Sequence, residues 1–408
     1  MSKGNIVTGL DIGTSSIKCL VIQKNQSDCE VLSYAEIPSF GLRKGIVDNV
    51  EETAKNVQLI LSGVERDCNK KIRSVSVNIG GNHIYVTPSD GIISVSRADQ
   101  RISKEDVDRV IQATKAINLP GNYEVLDVIE REFIIDDQSG IKQPLDLSGV
   151  RLEAKVILLC IFSRDFLNLT QAVLNSKVQI NDVLPSPLAA AKAVLTPQQK
   201  ELGVALIDIG AATTSLAVFE EGDLIHLAIF PIGSSNITND IAIGLKTEPA
   251  IAEAIKKQHG TCVFAKKEKE IIKDQSHKKI EIFDKSDSLA FTKKDLVDII
   301  EPRVSEILDL VQKELKKIGK HKMLPGGIVL TGGGVKLPKI KELTRDTLEL
   351  NCEIGIPKGI VGIQEDPSLA TVAGLALGGV DFDEEASILG LTKGWGSKIK
   401  KIFRIFIP

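Results

Sequence analysis

Two stretches of the chain share one pattern of apolar and polar positions. The first is Val7-Thr8-Gly9-Leu10-Asp11-Ile12-Gly13-Thr14-Ser15-Ser16, and the second is Ala205-Leu206-Ile207-Asp208-Ile209-Gly210-Ala211-Ala212-Thr213-Thr214. In each, a β-branched run ends in Asp-x-Gly, crosses a short hydroxyl-rich turn and enters another apolar run, Ile17 to Gln23 or Leu216 to Phe219. The pattern predicts a β-hairpin with a narrow tip. A third strand is expected after each hairpin, Cys29 to Ile37 in the first case and Leu224 to Phe230 in the second, the latter entered through the turn Glu221-Gly222-Asp223. Two like halves with like tips imply a cleft between them.

The first half carries additional material. After a strand at Ser74 to Ile79 comes a small α+β pattern: a strand near His83 to Thr87, an amphipathic helix from Ser103 to Ile117, and strands at Tyr123 to Ile135 and Val150 to Ile161. Ser103 with Asp106 three residues on resembles a capping arrangement, and Val107, Val110, Ile111 and Thr114 share one helical face. Residues 84–164 are therefore expected to form an inserted domain. The remaining organisation is read as a first half from 1–83, 165–195 and 363–385, and a second half from 196–231 and 300–362, with a smaller lobe at 232–299. Within that lobe, 264–287 is rich in lysine and acids and reads as a solvated surface segment, and Pro302 is expected to kink the helix Lys293 to Ile318. Residues 381–394 read as a short linker that opens with the acidic Asp381 to Glu385, and 386–408 as the rest of that linker together with an amphipathic tail helix.

A length of 408 residues requires more than one domain, and 43% apolar with 26% charged residues supplies ample core. The net charge of −3 and an aromatic content of 4% exclude a nucleic-acid-coating surface. Six scattered cysteines without close pairs read as free thiols of a reducing compartment. No signal-type stretch is expected at the start, and the longest apolar run, Val156 to Phe162, is far short of the ~20 residues of a spanning helix, so any membrane contact is expected to be superficial.

The hairpin tips carry the candidate chemistry. Gly13 and Gly210 permit a bend that converges backbone N–H groups on an anion, with Thr14, Ser15, Ser16, Thr213 and Thr214 as hydroxyl donors. Asp11 and Asp208, at the ends of equivalent strands, have the chemistry to hold hydrated Mg²⁺ against phosphate oxygens, and Lys18 adds a positive charge. Ile328 to Thr331 followed by Gly332, Gly333, Gly334, Val335 and Lys336 predicts a buried strand entering a glycine turn that opens a helix, a place suited to a nucleotide's ribose and phosphate edge.

In this order the pieces resemble the ATPase fold shared by actin, Hsp70 and sugar kinases, and most closely the FtsA family of bacterial cell-division proteins. The resemblance rests on the two hairpins, Pro187-Leu188-Ala189-Ala190-Ala191-Lys192, the glycine segment at 327–340 and the closing helix Ser368 to Ala376. Family-level likeness lies in Ser103 to Ala116, Leu147 to Arg151, Gly233 to Ala242, Glu253 to Lys256 with His259-Gly260, and Glu301-Pro302-Arg303. The resemblance implies two duplicated RNase H-like halves around an ATP and Mg²⁺ site, with Glu253 and Lys256 lining the adenosine end and Gly233 letting a loop close on the nucleotide. It implies self-association into filaments, FtsZ bound through the lobe near 232–299, contacts with other division proteins, and a place on the cytoplasmic face of the cell membrane at the septum. Two departures stand out. Ala211 and Ala212 replace the usual glycines, for which a positive φ would cost about 1 kcal/mol. The connecting segment around Ser186 and Pro187 offers no Gln or Glu to orient a water, so at most weak ATPase activity is expected.

The tail has its own pattern. At about 100° per residue, Trp395, Ile399, Ile402, Phe403 and Phe406 share one helical face, while Lys398, Lys400, Lys401 and Arg404 occupy its flanks and the other side. Such a helix lies in a membrane interface, at roughly 25 cal/mol per Å² of buried apolar face plus about 1 kcal/mol per cation near an anionic leaflet. In the FtsA family the same place holds the membrane-targeting helix. Two other readings compete: the actin-like scaffold of type IV pilus assembly, which lacks such a tail, and a sugar-kinase-type phosphotransferase, for which no aspartate base is evident.

Overall fold

The computed structural model describes residues 5–25, 28–264, 279–284 and 287–388. The expected tail helix lies outside them, as do 265–278 and 285–286 of the lysine-rich segment.

Each half is built on one sheet, and the two sheets repeat one topology. In the first, the antiparallel strands Asn5–Ile12, Ser16–Lys24 and Cys29–Pro38 continue through the parallel strands Ser74–Ile79 and Gln179–Pro185, with the two-residue strand Ile360–Val361 added at the outer edge. In the second, Val204–Ile209, Thr214–Glu220 and Asp223–Phe230 form the antiparallel part, and Ile328–Thr331 and Cys352–Ile354 the parallel part. The first strand of each half is buried over most of its length, as a central strand covered on both faces must be. Equivalence extends to register, since Asp11 lies opposite Lys18 and Asp208 opposite Ser215.

Two helices occupy the space between the sheets: Ser186–Val194, rich in alanine, and the long helix from Ala370. Small residues let them approach. A Cβ on Gly374 would enter the Ala189 carbonyl, and one on Gly9 would lie 2.6 Å from the Val372 carbonyl oxygen. The long helix continues to Ile388, so the linker expected from residue 381 does not begin there. The physical reason is local, because Asp383-Glu384-Glu385-Ala386-Ser387 contains neither glycine nor proline to stop the hydrogen-bond ladder.

The inserted sheet has the order Tyr85–Ser94, Arg151–Phe162, Tyr123–Ile135, Gln138–Ile141, with the helix Lys104–Thr114 packed on it and its own core around Ile102, Val110, Phe133, Leu152 and Leu158. The expected capping box is present: Ser103 Oγ accepts from the Asp106 N–H, and Asp106 accepts from the Ser103 N–H at 3.0 Å. The smaller lobe comprises helices Ser234–Leu245 and Pro249–His259, the hairpin Lys279–Asp284 and Asp287–Thr292, and the helix Lys293–Lys317. That last helix is continuous through Pro302. Arg303, the next residue, donates to Asp240 Oδ1 at 2.9 Å and so ties it to Ser234–Leu245.

Candidate functional site

The two hairpin tips are closed the same way. The Gly13 N–H donates to the Ser16 carbonyl at 3.1 Å, and the Gly210 N–H to the Thr213 carbonyl at 2.9 Å. Glycine is needed for room, since a Cβ at Gly13 would lie 2.9 Å from the Ser16 oxygen and one at Gly210 3.1 Å from the Thr213 oxygen. Neither has positive φ, and neither do Ala211 and Ala212. The strain expected from those two alanines is therefore absent. Both substitute for glycine in a conformation that any residue adopts.

Asp11 and Asp208 are 7% and 9% exposed and close enough to affect each other. Burial, reinforced by the negative charge of Asp11 and opposed by Lys18, pushes Asp208 up to about 6. Burial also raises Asp11, with Lys18 opposing and Glu36 adding to the rise. Two buried carboxylates that share one neighbouring amine are short of positive charge. A hard cation would supply it, since Mg²⁺ is commonly held by one or two carboxylates with phosphate oxygens and water completing the shell. The donor set fits that mode, because among the described residues no group of three or more His, Cys, Asp or Glu side chains forms an all-protein cage.

Asn78, which sequence reasoning passed over, holds Asp11. Its Nδ2 donates to Asp11 Oδ1 at 2.8 Å and to Ser186 Oγ at 3.1 Å, and its Oδ1 accepts from the Ile12 N–H at 2.7 Å. Ser186 Oγ in turn donates to the Ile79 carbonyl at 3.2 Å, so the connecting segment beside the carboxylates is tied down. Across the cleft, Thr371 Oγ1 stands 3.5 Å from Asp208 Oδ2, a much weaker hold.

Around these carboxylates the structure gathers most of the predicted residues. Thr14 accepts from the Gly45 N–H at 2.9 Å, and Thr213 lies across from the same glycine, 3.4 Å from where its Cβ would be. Ser15 presents an exposed side chain, and Lys18 extends toward Glu36, 3.9 Å away. Ser16 hydrogen-bonds Glu36. Thr214 differs from expectation. Fully buried, it donates to the Ile232 carbonyl at 2.9 Å, so its hydroxyl secures the neighbouring loop instead of facing the cleft. Gly233 completes that loop. The Ser234 and Ser235 N–H groups donate to the carbonyls of Gly210 and Ala211, and a Cβ on Gly233 would lie within 2.7 Å of both oxygens.

Glu253 and Lys256 stand behind the same loop. Lys256, 8% exposed, donates to the Ser234 carbonyl at 3.1 Å and Thr238 Oγ1 at 2.8 Å and pairs with Glu253 Oε2 at 2.7 Å. An ammonium has three donors. All three are accounted for, which makes Lys256 a support of the Gly233 loop. The glycine turn departs from its expected form: Gly333–Lys336 is one 3₁₀ turn, and the helix starts only at Ile340. Pro338 lies between them, and the residue before a proline is disfavoured in helical geometry. Gly332, with φ +90°, ψ 169° and its N–H donated to the Pro367 carbonyl, sits directly against Asp208. Lys336 pairs with Asp366 at 2.6 Å.

A duplicated sheet, a hairpin tip from each half and two facing aspartates define the actin-like ATPase fold. Solved structures agree. The PilM-PilN type IV pilus biogenesis complex superposes with a TM-score of 0.65 at 19% identity over 92% of this chain and 98% of that one. MreB5 of Spiroplasma citri bound to ADP superposes with 0.57 at 13% identity over 94% and 98%. Sequence comparison is more specific: the model of "Cell division protein FtsA" matches residues 205–374, and that of the "SHS2 domain inserted in FTSA" matches 81–160. Cell division protein FtsA of Pseudomonas aeruginosa is 35% identical over 96% of this chain and 93% of its own length. The chain belongs to the FtsA family of cell-division proteins. That membership, and not the fold, separates it from the pilus scaffold.

Proposed function

We propose that the chain binds ATP with Mg²⁺ between its halves, self-associates, and tethers FtsZ polymers to the cytoplasmic face of the cell membrane at the septum. One observation carries the nucleotide part: two equivalent hairpins present buried carboxylates to one gap, where burial raises both above their ordinary values and the charge of Asp11 raises Asp208 further. Asp11 and Asp208 would hold the metal. With the Gly13 and Gly210 N–H groups closing the tips, the remaining backbone amides of the two tips and the hydroxyls of Thr14, Ser15 and Thr213 would receive the phosphates, with Lys18 as the neighbouring cation. Bound Mg²⁺ supplies positive charge at the phosphate oxygens. Gly233 seats its loop on the second hairpin, and Glu253 and Lys256 brace that loop from behind. The nucleotide held by the actin-like MreB5 of the same fold supports the reading.

Two things support membrane tethering: family membership, and the amphipathic pattern of Trp395, Lys398, Ile399, Lys401, Ile402, Phe403, Arg404 and Phe406. Among the described residues no helix is long and apolar enough to cross a membrane. FtsZ is assigned to the lobe at 232–299 by family resemblance, and other division proteins are further partners on the same basis. The test is pelleting with liposomes containing anionic lipid, with and without FtsZ and Mg-ATP, comparing the intact chain with one ending at Gly394. The intact chain should carry FtsZ into the pellet and the shortened chain should leave it in solution. Equal pelleting of FtsZ by both forms would overturn the tether.

A further inference from the structure

The inserted sheet joins the first half through two short crossings. One is the segment 80–84 that leads into the strand Tyr85–Ser94. The other is the point where the strand Arg151–Phe162 passes directly into the helix Ser163–Asn175. His83 lies on the first crossing and Asp165 just past the second. Their side chains are 8% and 4% exposed, and Nδ1 stands 3.2 Å from Asp165 Oδ2. The approach is off the line of a hydrogen bond, and neither ring nitrogen has a hydrogen-bond partner among the described residues. Buried polar atoms in that condition are rare and call for an explanation. Burial holds the imidazole below its ordinary pKa, with the Asp165 charge opposing and Arg164 adding to the fall.

What lies beside the pair supplies the explanation. His83 and Asp165 line a small cavity with Ile12, Gly45, Asn78, Ile79 and Gly80, and Ile12 belongs to the first hairpin. Gly45 bridges the two sites. Its N–H donates to Thr14 Oγ1, and a Cβ on it would lie 3.1 Å from the Gly81 nitrogen. Gly81, with φ +103°, leaves room for the His83 ring, because a Cβ there would stand 2.7 Å from Nδ1. From the other crossing, Asn168 Nδ2 donates to the Val47 carbonyl at 3.3 Å, gripping the same loop. Thr14, Gly45, Gly81, His83 and Asp165 thus form one continuous packed path from the hairpin tip to both roots of the inserted sheet.

We propose that His83 and Asp165 are positioning residues that seat the first hairpin through the Gly45 loop and thereby link its occupancy to the roots of the inserted domain. The inference rests on the nucleotide reading above. Its test measures Mg-ATP affinity and backbone amide exchange on the full chain, for wild type, His83→Ala, His83→Gln and Asp165→Asn. In wild type, Mg-ATP should slow exchange at 11–16 and also at 80–86 and 162–167. His83→Ala and Asp165→Asn should bind about fivefold to tenfold more weakly, with protection that stops at the hairpin. His83→Gln, which keeps a polar side chain packed between Gly81 and Asp165, should recover part of both. Asp165→Asn keeps the side-chain size and reports even if His83→Ala fails to fold. Variants with wild-type affinity and wild-type protection at both crossings would overturn the proposal, as would protection in wild type that never reaches them. Wild type that does not bind Mg-ATP would instead overturn the nucleotide reading and this inference with it.

Discussion

Gly332 and Gly333 are adjacent, and the structure assigns them opposite tolerances to a methyl group. Gly332 has φ +90° and ψ 169°, a region open essentially to glycine alone and costing of order 1–3 kcal/mol for another residue. A Cβ there would run into Asp208 Oδ1 and lie 2.6 Å from the Ile209 carbonyl oxygen, an overpacking that costs typically another 1–3 kcal/mol. Gly332→Ala should therefore lose about 2–6 kcal/mol, divided between stability and site geometry, because the cheapest relief is to turn the Asp208 carboxylate away. At Gly333 the nearest atom to a new Cβ is Ser368 Cβ at 3.9 Å, and φ is not positive. Its replacement by alanine should stay within about 0.5 kcal/mol. Thermal unfolding followed by a dye and titration with fluorescent ATP in Mg²⁺ measure both parts. Gly332→Ala should melt several degrees lower and bind at least tenfold more weakly, and Gly333→Ala should melt as wild type does. Equal behaviour of the two variants, whether both intact or both damaged, would refute the reasoning.

Asp208 sets a pH dependence of stability in protein free of nucleotide and metal. A carboxyl raised from 3.8 to about 6 contributes stability that is complete below pH ~4 and lost as pH rises through 6, about 3 kcal/mol at 1.36 kcal/mol per unit. The melting temperature should fall across that window in wild type and much less in Asp208→Asn, and calorimetry near pH 6 should show proton release on Mg-ATP binding. Asp106 acts in the opposite sense: fully buried, accepting from the backbone and hydroxyl groups of both Ser103 and Ser96 and paired with the Arg109 guanidinium, it titrates below its ordinary value because these partners outweigh burial. Its contribution is present above pH ~4 and lost on acidification; Asp106→Ala should destabilise the inserted domain by roughly 3 kcal/mol, seen as faster amide exchange confined to 85–162. Thr214→Val, which strands the Ile232 carbonyl, should cost about 1–3 kcal/mol in stability while phosphate competition for ATP is unchanged, since the hydroxyl does not face the cleft.

The hairpins were legible because duplication placed two Asp-x-Gly tips on equivalent strands, and a strand that ends at a turn has few other places to put its last side chain. Asn78 and Thr371 were not legible. They reach their aspartates across separations of 67 and 163 residues, and no local pattern encodes a partner that topology delivers. For Lys256 the resemblance implies a place at the adenosine end, and its burial against Ser234–Leu245, with its donors engaged by Ser234, Thr238 and Glu253, depends on a helix that its own i,i+3 spacing from Glu253 does not reveal. Ala211 and Ala212 were read as strained by analogy with glycine, although the tip needs positive φ at neither residue. Elements with a period were readable from the chain. Side chains whose role depends on what another lobe brings were not.

The duplicated halves are unequal where it matters. Where the first hairpin places Lys18 opposite Asp11, the second places Ser215 opposite Asp208, and where Asn78 grips Asp11 at 2.8 Å, Thr371 stands 3.5 Å from Asp208. The first carboxylate is fixed in place with a cation beside it. The second is less held, and burial with the charge of the first raises it above its ordinary value. Like charges at Asp11 and Asp208 work against bringing the two halves together, and a divalent cation held by both would offset that repulsion. On the proposed reading, then, closure draws its driving force from the metal-nucleotide itself, and the half that must adjust is the second, whose Asp208, Gly233 loop and Gly332 turn all meet at one point. The inserted domain, rooted through His83 and Asp165 on the better-fixed half, is placed to register the outcome without taking part in the adjustment.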